Sequence, residues 1–325
     1  MSKSFKGLGA VLTICAGFAG TASAEPVRIG IANFGEDPAL NQAIEGFKRA
    51  FRDAGMTEGD KVVFSASHTN FDSSLVPQMI TKLASEKPAL IYTQTTPVTQ
   101  IARQTLAGTG IPIVFGVVTD PVSAGLVPSW DKGAPNLTGA SDRMDMDVVM
   151  EFVRKFAPTA KSLGLPYNPG EANDVALLEV TKKAGENAGL TVVSVGVDAV
   201  NDIPQRITSL ASQADVIYLP TSNLLQPAAS AVASAARQTK TPVVNSNDLP
   251  VIEGVLPASI SVSYEQVGYN AGKIAIEIVN GTDPETIAPV KASPADHKPL
   301  ISRRGLAAFG LELPPALAGC GCIVD

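Results

Sequence analysis

From Val27 onward the chain alternates two hydrophobic periods. Val27, Ile29 and Ile31 are apolar at every second position, the spacing of a strand with one face turned inward. Asp37-Pro38 then reads as the cap and first turn of a helix. Leu40, Ile44, Phe47 and Phe51 follow at helical spacing until Gly55 stops the run. The same beat continues with a strand over 62–66 and a helix marked by Leu75, Met79, Ile80 and Leu83. A buried strand follows over 90–93, then a helix opening at Thr96-Pro97 and a strand over 112–118.

After Gly139 the rhythm restarts. Helices are predicted over 147–156, 173–188, 203–213 and 227–239, and strands over 163–167, 190–195, 216–219 and 242–245. Alternating strand–helix units imply parallel sheets with helices on both faces. Two such runs predict an α/β chain of two doubly wound parallel-sheet domains. A helix over 264–280, apolar at Val267, Ala271, Ile274, Ala275 and Ile278, is assigned back to the first domain, and 299–309 to the second. The expected division is residues 25–138 with 263–291, residues 139–262 with 292–318, and a tail over 319–325. The chain then crosses between domains three times, near 136–141, 259–263 and 290–293, which makes a hinge rather than a tether.

The N-terminus changes the picture from fold to address. Lys3 and Lys6, an apolar stretch over 8–19 and Ala22-Ser23-Ala24 have the layout of a secretory signal peptide cleaved after Ala24. Ile14 before Cys15 does not suit lipidation. The expected product is periplasmic, with about 300 residues, a length that suits two domains. Loss of the two lysines takes the formal charge from −6 to −8. An acidic chain without a basic cluster is a poor nucleic-acid partner. Cys320 and Cys322 stand in a Gly-rich tail as a C-x-C pair. They can form a disulfide or supply two metal ligands without a nearby histidine, and the plain reading is an exposed tail.

Ligands of open parallel sheets bind beyond the carboxyl ends of the strands. That rule selects loops 33–37, 67–72, 93–97 and 117–121 in the first half. In the second half it selects 167–174, 196–202, 220–223 and 245–248. Thr95-Thr96-Pro97 and Glu171-Ala172-Asn173-Asp174 each precede a helix, where free N–H groups suit a carboxylate. Phe34 offers an apolar face for a ring, and Glu36, Asp120 or Asp248 an acid for an ammonium. With two histidines, His68 and His297, far apart, and no nucleophile elbow, phosphate loop or zinc-protease motif, no catalytic set, metal or cofactor is expected.

These loops and their neighbours carry Phe34-Gly-Glu-Asp-Pro-Ala-Leu40, Ile111-Pro-Ile-Val-Phe115 and Thr119-Asp-Pro-Val-Ser-Ala-Gly-Leu-Val127. The series continues through Asn136-Leu-Thr-Gly139, Tyr167-Asn-Pro-Gly-Glu-Ala-Asn173, Tyr218-Leu-Pro-Thr-Ser-Asn223 and Val267-Gly-Tyr-Asn-Ala-Gly272. In these motifs the chain resembles the tryptophan/tyrosine-type ABC substrate-binding proteins, a family with the type I periplasmic-binding fold. The resemblance implies ligand contacts at Phe34, Glu36, Thr95, Thr96, Asp120, Glu171, Asn173 and Asn223. It also implies a small carboxylate-bearing cargo, first an aromatic amino acid, and an inner-membrane ABC permease with its ATPase as partner of a monomeric binding protein. Three places depart from the family pattern: Ser222 where an acid is usual, Asp174 where a serine is usual, and Pro257-Ala-Ser259 in place of a small-residue run ending in Tyr. They alter the charge balance around the pocket, and Asp174 stands where it would repel a carboxylate. An exported α/β hydrolase or amidase, and a sensory subunit that presents ligand to a membrane receptor, remain as alternatives.

Overall fold

The computed structural model describes Met1 and residues 25–325, so the leader call over 1–24 lies almost wholly outside the described residues. The first half runs β1 (Val27–Asn33), α1 (Pro38–Asp53), β2 (Val62–His68), α2 (Val76–Ser85), β3 (Leu90–Gln94), α3 (Thr96–Thr105), β4 (Ile113–Gly116) and β5 (Leu137–Gly139). The second half runs α4 (Met146–Phe156), β6 (Ser162–Tyr167), α5 (Ala172–Asn187), β7 (Thr191–Gly196), α6 (Ile203–Ala211), β8 (Val216–Leu219), α7 (Ala229–Gln238), β9 (Val243–Asn245), α8 (Leu249–Ile252) and β10 (Ala258–Ser261). The chain ends with α9 (Tyr264–Val279), β11 (Lys298–Ser302), α10 (Arg303–Phe309) and β12 (Ile323–Val324).

Two sheets form, one in the order β2-β1-β3-β4-β5 and the other β12-β11-β10-β9-β8-β6-β7. The first is parallel throughout. The second departs from the all-parallel expectation, because β11 runs antiparallel to β10. Residues 319–325 also differ from an exposed tail. Ile323–Val324 pair with Ile301–Ser302 as an edge strand, and Cys320 and Cys322 are joined as a disulfide.

Strand alternation explains why both faces of each sheet are covered. In the first sheet Ile29, Ile31, Tyr92 and Val114 face one apolar cluster with Phe47 and Phe51 of α1 and Ile274 of α9. Ile91, Ile113 and Phe115 point the other way, against Ile80 of α2 and Val98 of α3. Phe47 and Tyr92 stack with ring centroids 4.1 Å apart. Ile217, Leu219 and Val243 likewise meet α6 and α7 on the far face of the second sheet.

Three passages join the sheets: from β5 toward α4, from β10 into α9, and from residue 290 toward β11. The first and third lie side by side, with Ser141 N donating to Val290 O at 2.7 Å and Val290 N to Gly139 O at 3.0 Å. The imidazole Nε2 of His297 on the third accepts from Asp145 N of the first at 2.8 Å.

Helix α9 returns to the first sheet because it can lie almost backbone to backbone on α1. A Cβ on Gly268 would stand 1.8 Å from Ala43 O, and one on Gly46 1.9 Å from Glu265 O. Gly268→Ala and Gly46→Ala are each expected to destabilise the ligand-free protein by about 1–3 kcal/mol, the usual penalty for overpacking. The denaturant midpoint should fall with an unchanged slope; an unchanged midpoint would show that the helices can separate at little cost.

Candidate functional site

Both sheets contain a strand-order reversal, between β1 and β3 in the first and between β6 and β8 in the second. Connections leave in opposite directions there, which opens a crevice at the carboxyl edge. The two crevices face each other across a cavity of about 440 Å³, mouth included. From the first half come Asp37, Ala39, Leu40, Phe71, Thr96, Val117 and Thr119. The second half contributes Asn173, Thr221, Ser222, Asn223, Gln226, Pro227 and Asn247, and the crossover segments add Asp142 and Tyr264. Thr119 Oγ1 and Thr221 Oγ1 approach to 3.4 Å, a direct polar contact between the halves.

The backbone around the first crevice is held in conformations that side chains seldom adopt. Val117 (φ +55°) and Thr95 (φ +74°) are β-branched residues at positive φ, and Asn70 and Phe71 (φ +50° and +64°) form a consecutive pair. Such conformations cost of order 1–3 kcal/mol each and persist where their surroundings hold them. At Phe71 the effect is visible. Its ring reaches the cavity wall over Gly35, where a Cβ would stand 2.3 Å from the ring.

Four of the residues singled out from sequence line the cavity: Thr96, Asn173, Ser222 and Asn223. The other seven are not on the wall, each for a local reason. Phe34 is turned into the apolar cluster, edge-on to Phe71 at 5.4 Å, so Phe71 is the ring that faces the cavity. Glu36 is exposed, 3.4 Å from His68 Nε2 and 3.3 Å from Asn41 Nδ2. Asp120 caps its own turn, accepting from Val122 N and Ser123 N, and pairs with Arg143. Thr95 is buried one residue behind Thr96. Glu171 accepts from Asn168 Nδ2 at 3.0 Å and Asn223 Nδ2 at 2.5 Å. Asp174 lies under Asn173, accepting from Asn168 N at 2.6 Å. Asp248 precedes α8, and its neighbour Asn247 takes the wall position. The loop over 196–202 also contributes nothing to the cavity, because β7 is the edge strand of its sheet, away from the reversal.

Asp142 and Tyr264 were not among the sequence candidates. Asp142 lies one residue past the crossover read over 136–141, and Tyr264 opens the helix read over 264–280, yet Asp142 follows β5 by three residues and so stands at the same carboxyl edge. Tyr264 Oη donates to Asp142 Oδ2 at 3.3 Å, while Asp142 Oδ1 has no partner. Thr96 Oγ1, Asn173 Oδ1 and Gln226 Oε1 are also buried and unpartnered. Unsatisfied buried polar atoms are rare, and here four of them line one cavity.

Burial raises the Asp142 carboxyl to about 6, against the opposing hydrogen bond from Tyr264. Burial, then the neighbouring Glu171 charge, lifts Asp174 to about 8, so at neutral pH it is largely protonated and does not repel an anion.

A profile of the ABC transporter substrate binding protein family matches residues 28–314. The chain belongs to that family. A tyrosine-binding protein of Clostridioides difficile (strain R20291) is 33% identical over 281 residues, covering 86% of this chain and 80% of that protein. The structure of an ABC domain in complex with L-Trp from Streptococcus pneumonia superposes with a TM-score of 0.85 at 25% identity, covering 92% of this chain and all of that one. The ligand-free, open structure of a Clostridium difficile substrate binding protein with adhesive properties superposes at 0.70 with 32% identity, covering 92% and 99%. The architecture is the type I periplasmic-binding fold. Family members are typically periplasmic or extracellular.

The two raised carboxyls carry a stability consequence. A folded pKa above the unfolded value means that the folded state holds the proton more tightly, so stability is fully present below about pH 4 and declines as pH rises through the folded value. Unfolding free energy of the ligand-free protein is expected to fall between about pH 4 and 8, at up to about 1.4 kcal/mol per pH unit for each group. Asp142→Asn should flatten the decline up to about pH 6 and Asp174→Asn the part up to about pH 8. Parallel wild-type and variant profiles would show that other groups govern it.

Proposed function

We propose that this chain is the exported solute-capturing component of an ABC importer. It holds an aromatic amino acid in the cleft, closes over it by hinge bending, and presents the closed form to an inner-membrane permease with its ATPase. In this reading the protein is a monomer, and residues 25–138 with 263–291 move against 139–262 with 292–318. The observation that carries the reading is the cavity between two strand-order reversals, lined from both halves and holding four unpartnered polar atoms. A binding protein needs such atoms for its ligand. A hydrolase of the serine–histidine kind needs in addition an imidazole base beside its nucleophile, and neither histidine lines this wall.

The ligand's two ends find different surroundings. Thr96 stands at the start of α3, whose first turn contains no acid, and free N–H groups and the helix dipole there favour a carboxylate. The start of α5 is less suited, because Glu171 stands at its cap position. Phe71, Leu40 and Pro227 supply apolar surface for a ring. A tyrosine-binding protein and an L-Trp complex stand among the relatives named above, which supports the choice of cargo.

Closure is supported by the superpositions. The chain overlays better on the L-Trp complex than on the open, ligand-free protein, although the latter is the more similar in sequence. A different angle between two rigid halves lowers a global score without altering either half. Scattering on the mature protein should show a smaller radius of gyration with saturating L-tyrosine or L-tryptophan than without ligand, and calorimetry should give micromolar or tighter binding. No heat with either amino acid would remove the proposed cargo. Binding at an unchanged radius would remove hinge closure.

Export is tested separately. The intact mass of the protein recovered from the periplasm is expected to begin at Glu25. A lipid-bearing form starting at Cys15 would overturn the soluble periplasmic assignment.

A further inference from the structure

We propose that the protein carries a second binding site, for a small oxyanion, in a groove on the side of the hinge turned away from the cleft, and that filling this groove favours the closed form. The site itself is independent of the cargo, while its coupling to the cleft rests on the hinge closure proposed above.

The argument begins with the way the crossovers divide their side chains. Asp142 and Tyr264 reach the cleft, whereas the residues just before them, Ser141 and Ser263, line a groove of about 830 Å³, mouth included. Successive side chains of extended chain point to opposite sides, so these crossovers are walls shared by two cavities. Val262 of the second passage and Lys291 and Ala292 of the third complete the lining, so that all three passages meet the groove. No residue is common to the groove and the cleft cavity. Helix α9 is divided in the same way. Its Gln266 and Asn270 line the groove, roughly 200° and 240° around the helix from Tyr264.

The groove is basic. Lys291 and Lys298 line it together with one acid, Asp296. That acid is occupied locally: Asp296 Oδ2 accepts from Ser293 Oγ at 2.7 Å and Ser293 N at 2.8 Å, bonds that hold its carboxyl below the ordinary range. The nearby cations Arg143 and Lys132 are paired with Asp120 and Glu285. Among the described residues, by contrast, no carboxylate lies within ion-pair distance of Lys291 or Lys298. Lys298 Nζ donates to Ala295 O at 3.0 Å, which leaves two of its three N–H groups. The Lys291 ammonium rests on the Trp130 ring, 5.2 Å from its centroid. Gln266 Nε2 donates to Asn270 Oδ1 at 3.1 Å, which leaves the Asn270 amide N–H groups for a ligand. Two ammonium groups and an amide around one groove complement the oxygens of a carboxylate, phosphate or sulfate.

Position supplies the sign of the coupling. Gln266 and Asn270 ride on α9, which packs on the first sheet, and Lys298 begins β11 of the second. The groove therefore spans both halves, across the hinge from the cleft. A rotation about the passages that narrows the one widens the other. The groove is open in this structure, so an oxyanion held between Asn270 and Lys298 selects the closed arrangement by differential binding.

Trp130 is the single tryptophan of the chain and carries Lys291 on its ring, so its emission reports on the site. The test titrates sodium phosphate, sulfate and succinate into the mature protein, each against sodium chloride at matched ionic strength, and follows Trp130 emission and heat. At least one of the three is expected to saturate. Which one does so distinguishes an inorganic ion from an organic acid, and either supports the site. Lys291→Gln and Lys298→Gln should each weaken that oxyanion by up to about fivefold, and the double variant by about tenfold or more, the scale of exposed ion pairs. Lys298→Arg should retain it. Without oxyanion the variants should bind L-tyrosine as the wild type does. Saturating oxyanion should tighten L-tyrosine binding by about fivefold or more, and L-tyrosine should tighten the oxyanion by the same factor. Thermal unfolding establishes that each variant is folded. No saturation beyond that of chloride, or undiminished binding in the folded double variant, overturns the site. Lysine-dependent binding that leaves the L-tyrosine affinity unchanged overturns the coupling. Where L-tyrosine does not bind at all, the cargo reading fails and the coupling is read from scattering: a smaller radius of gyration with oxyanion supports it, and an unchanged radius overturns it.

Discussion

The close packing of α9 on α1 is the constraint from which the rest of the architecture follows. Gly46 and Gly268 leave no room for even a methyl group, and Gly272 is similarly tight against Phe47 O and Ala50. A helix held this closely after β10 must leave the second sheet and come back to the first. Once there, the chain must cross again to supply β11 to the second sheet. A single junction thereby becomes three adjacent passages, and the first and third are hydrogen-bonded to each other through Ser141, Val290 and Gly139. Parallel passages allow bending about one axis and resist separation. The cleft opens where these passages meet the strand ends, which is why Asp142 and Tyr264 reach its wall.

The electrostatics of that cleft follow from the same geometry. Desolvation is severe where two sheets and three crossovers converge, and it raises the Asp142 carboxyl and the phenols of Tyr218 and Tyr264. The nearby basic side chain, Arg143, is consumed by Asp120 and lies 5.7 Å from the Trp130 ring, on which Lys291 also rests at 5.2 Å. Positive charge is thus kept around Trp130 while the wall of the cleft retains acid and amide oxygen. A family departure takes on a different meaning in this setting. Asp174 is buried under Asn173, holds its proton near neutral pH, and orients the Asn173 amide.

Hydrophobic periodicity carried the element order and the two-sheet class, because each depends on residues near one another in sequence. The strand-end rule led to the loops that hold Thr96, Thr119, Asn173, Thr221, Ser222, Asn223 and Asn247, since chain direction in parallel sheets places every such loop at one edge. It also named a loop over 196–202 that lies at a sheet edge, because strand order cannot be read from strand spacing.

Which residue within a loop faces the cleft was beyond that reasoning. Phe34 and Phe71 are chemically alike, but the positive φ of Phe71 and the missing side chain at Gly35 decide that Phe71 takes the wall. Asp120 looked like a ligand acid and is instead spent on its own turn and on Arg143, a partner 23 positions away. Asp142 looked like linker and is a buried acid of the cavity wall, because it takes its environment from Tyr264, 122 positions away. Local pattern determined what the elements are and roughly where a ligand would go. Side-chain direction and charge state were decided by contacts between residues distant in sequence, and only the folded chain brings those together.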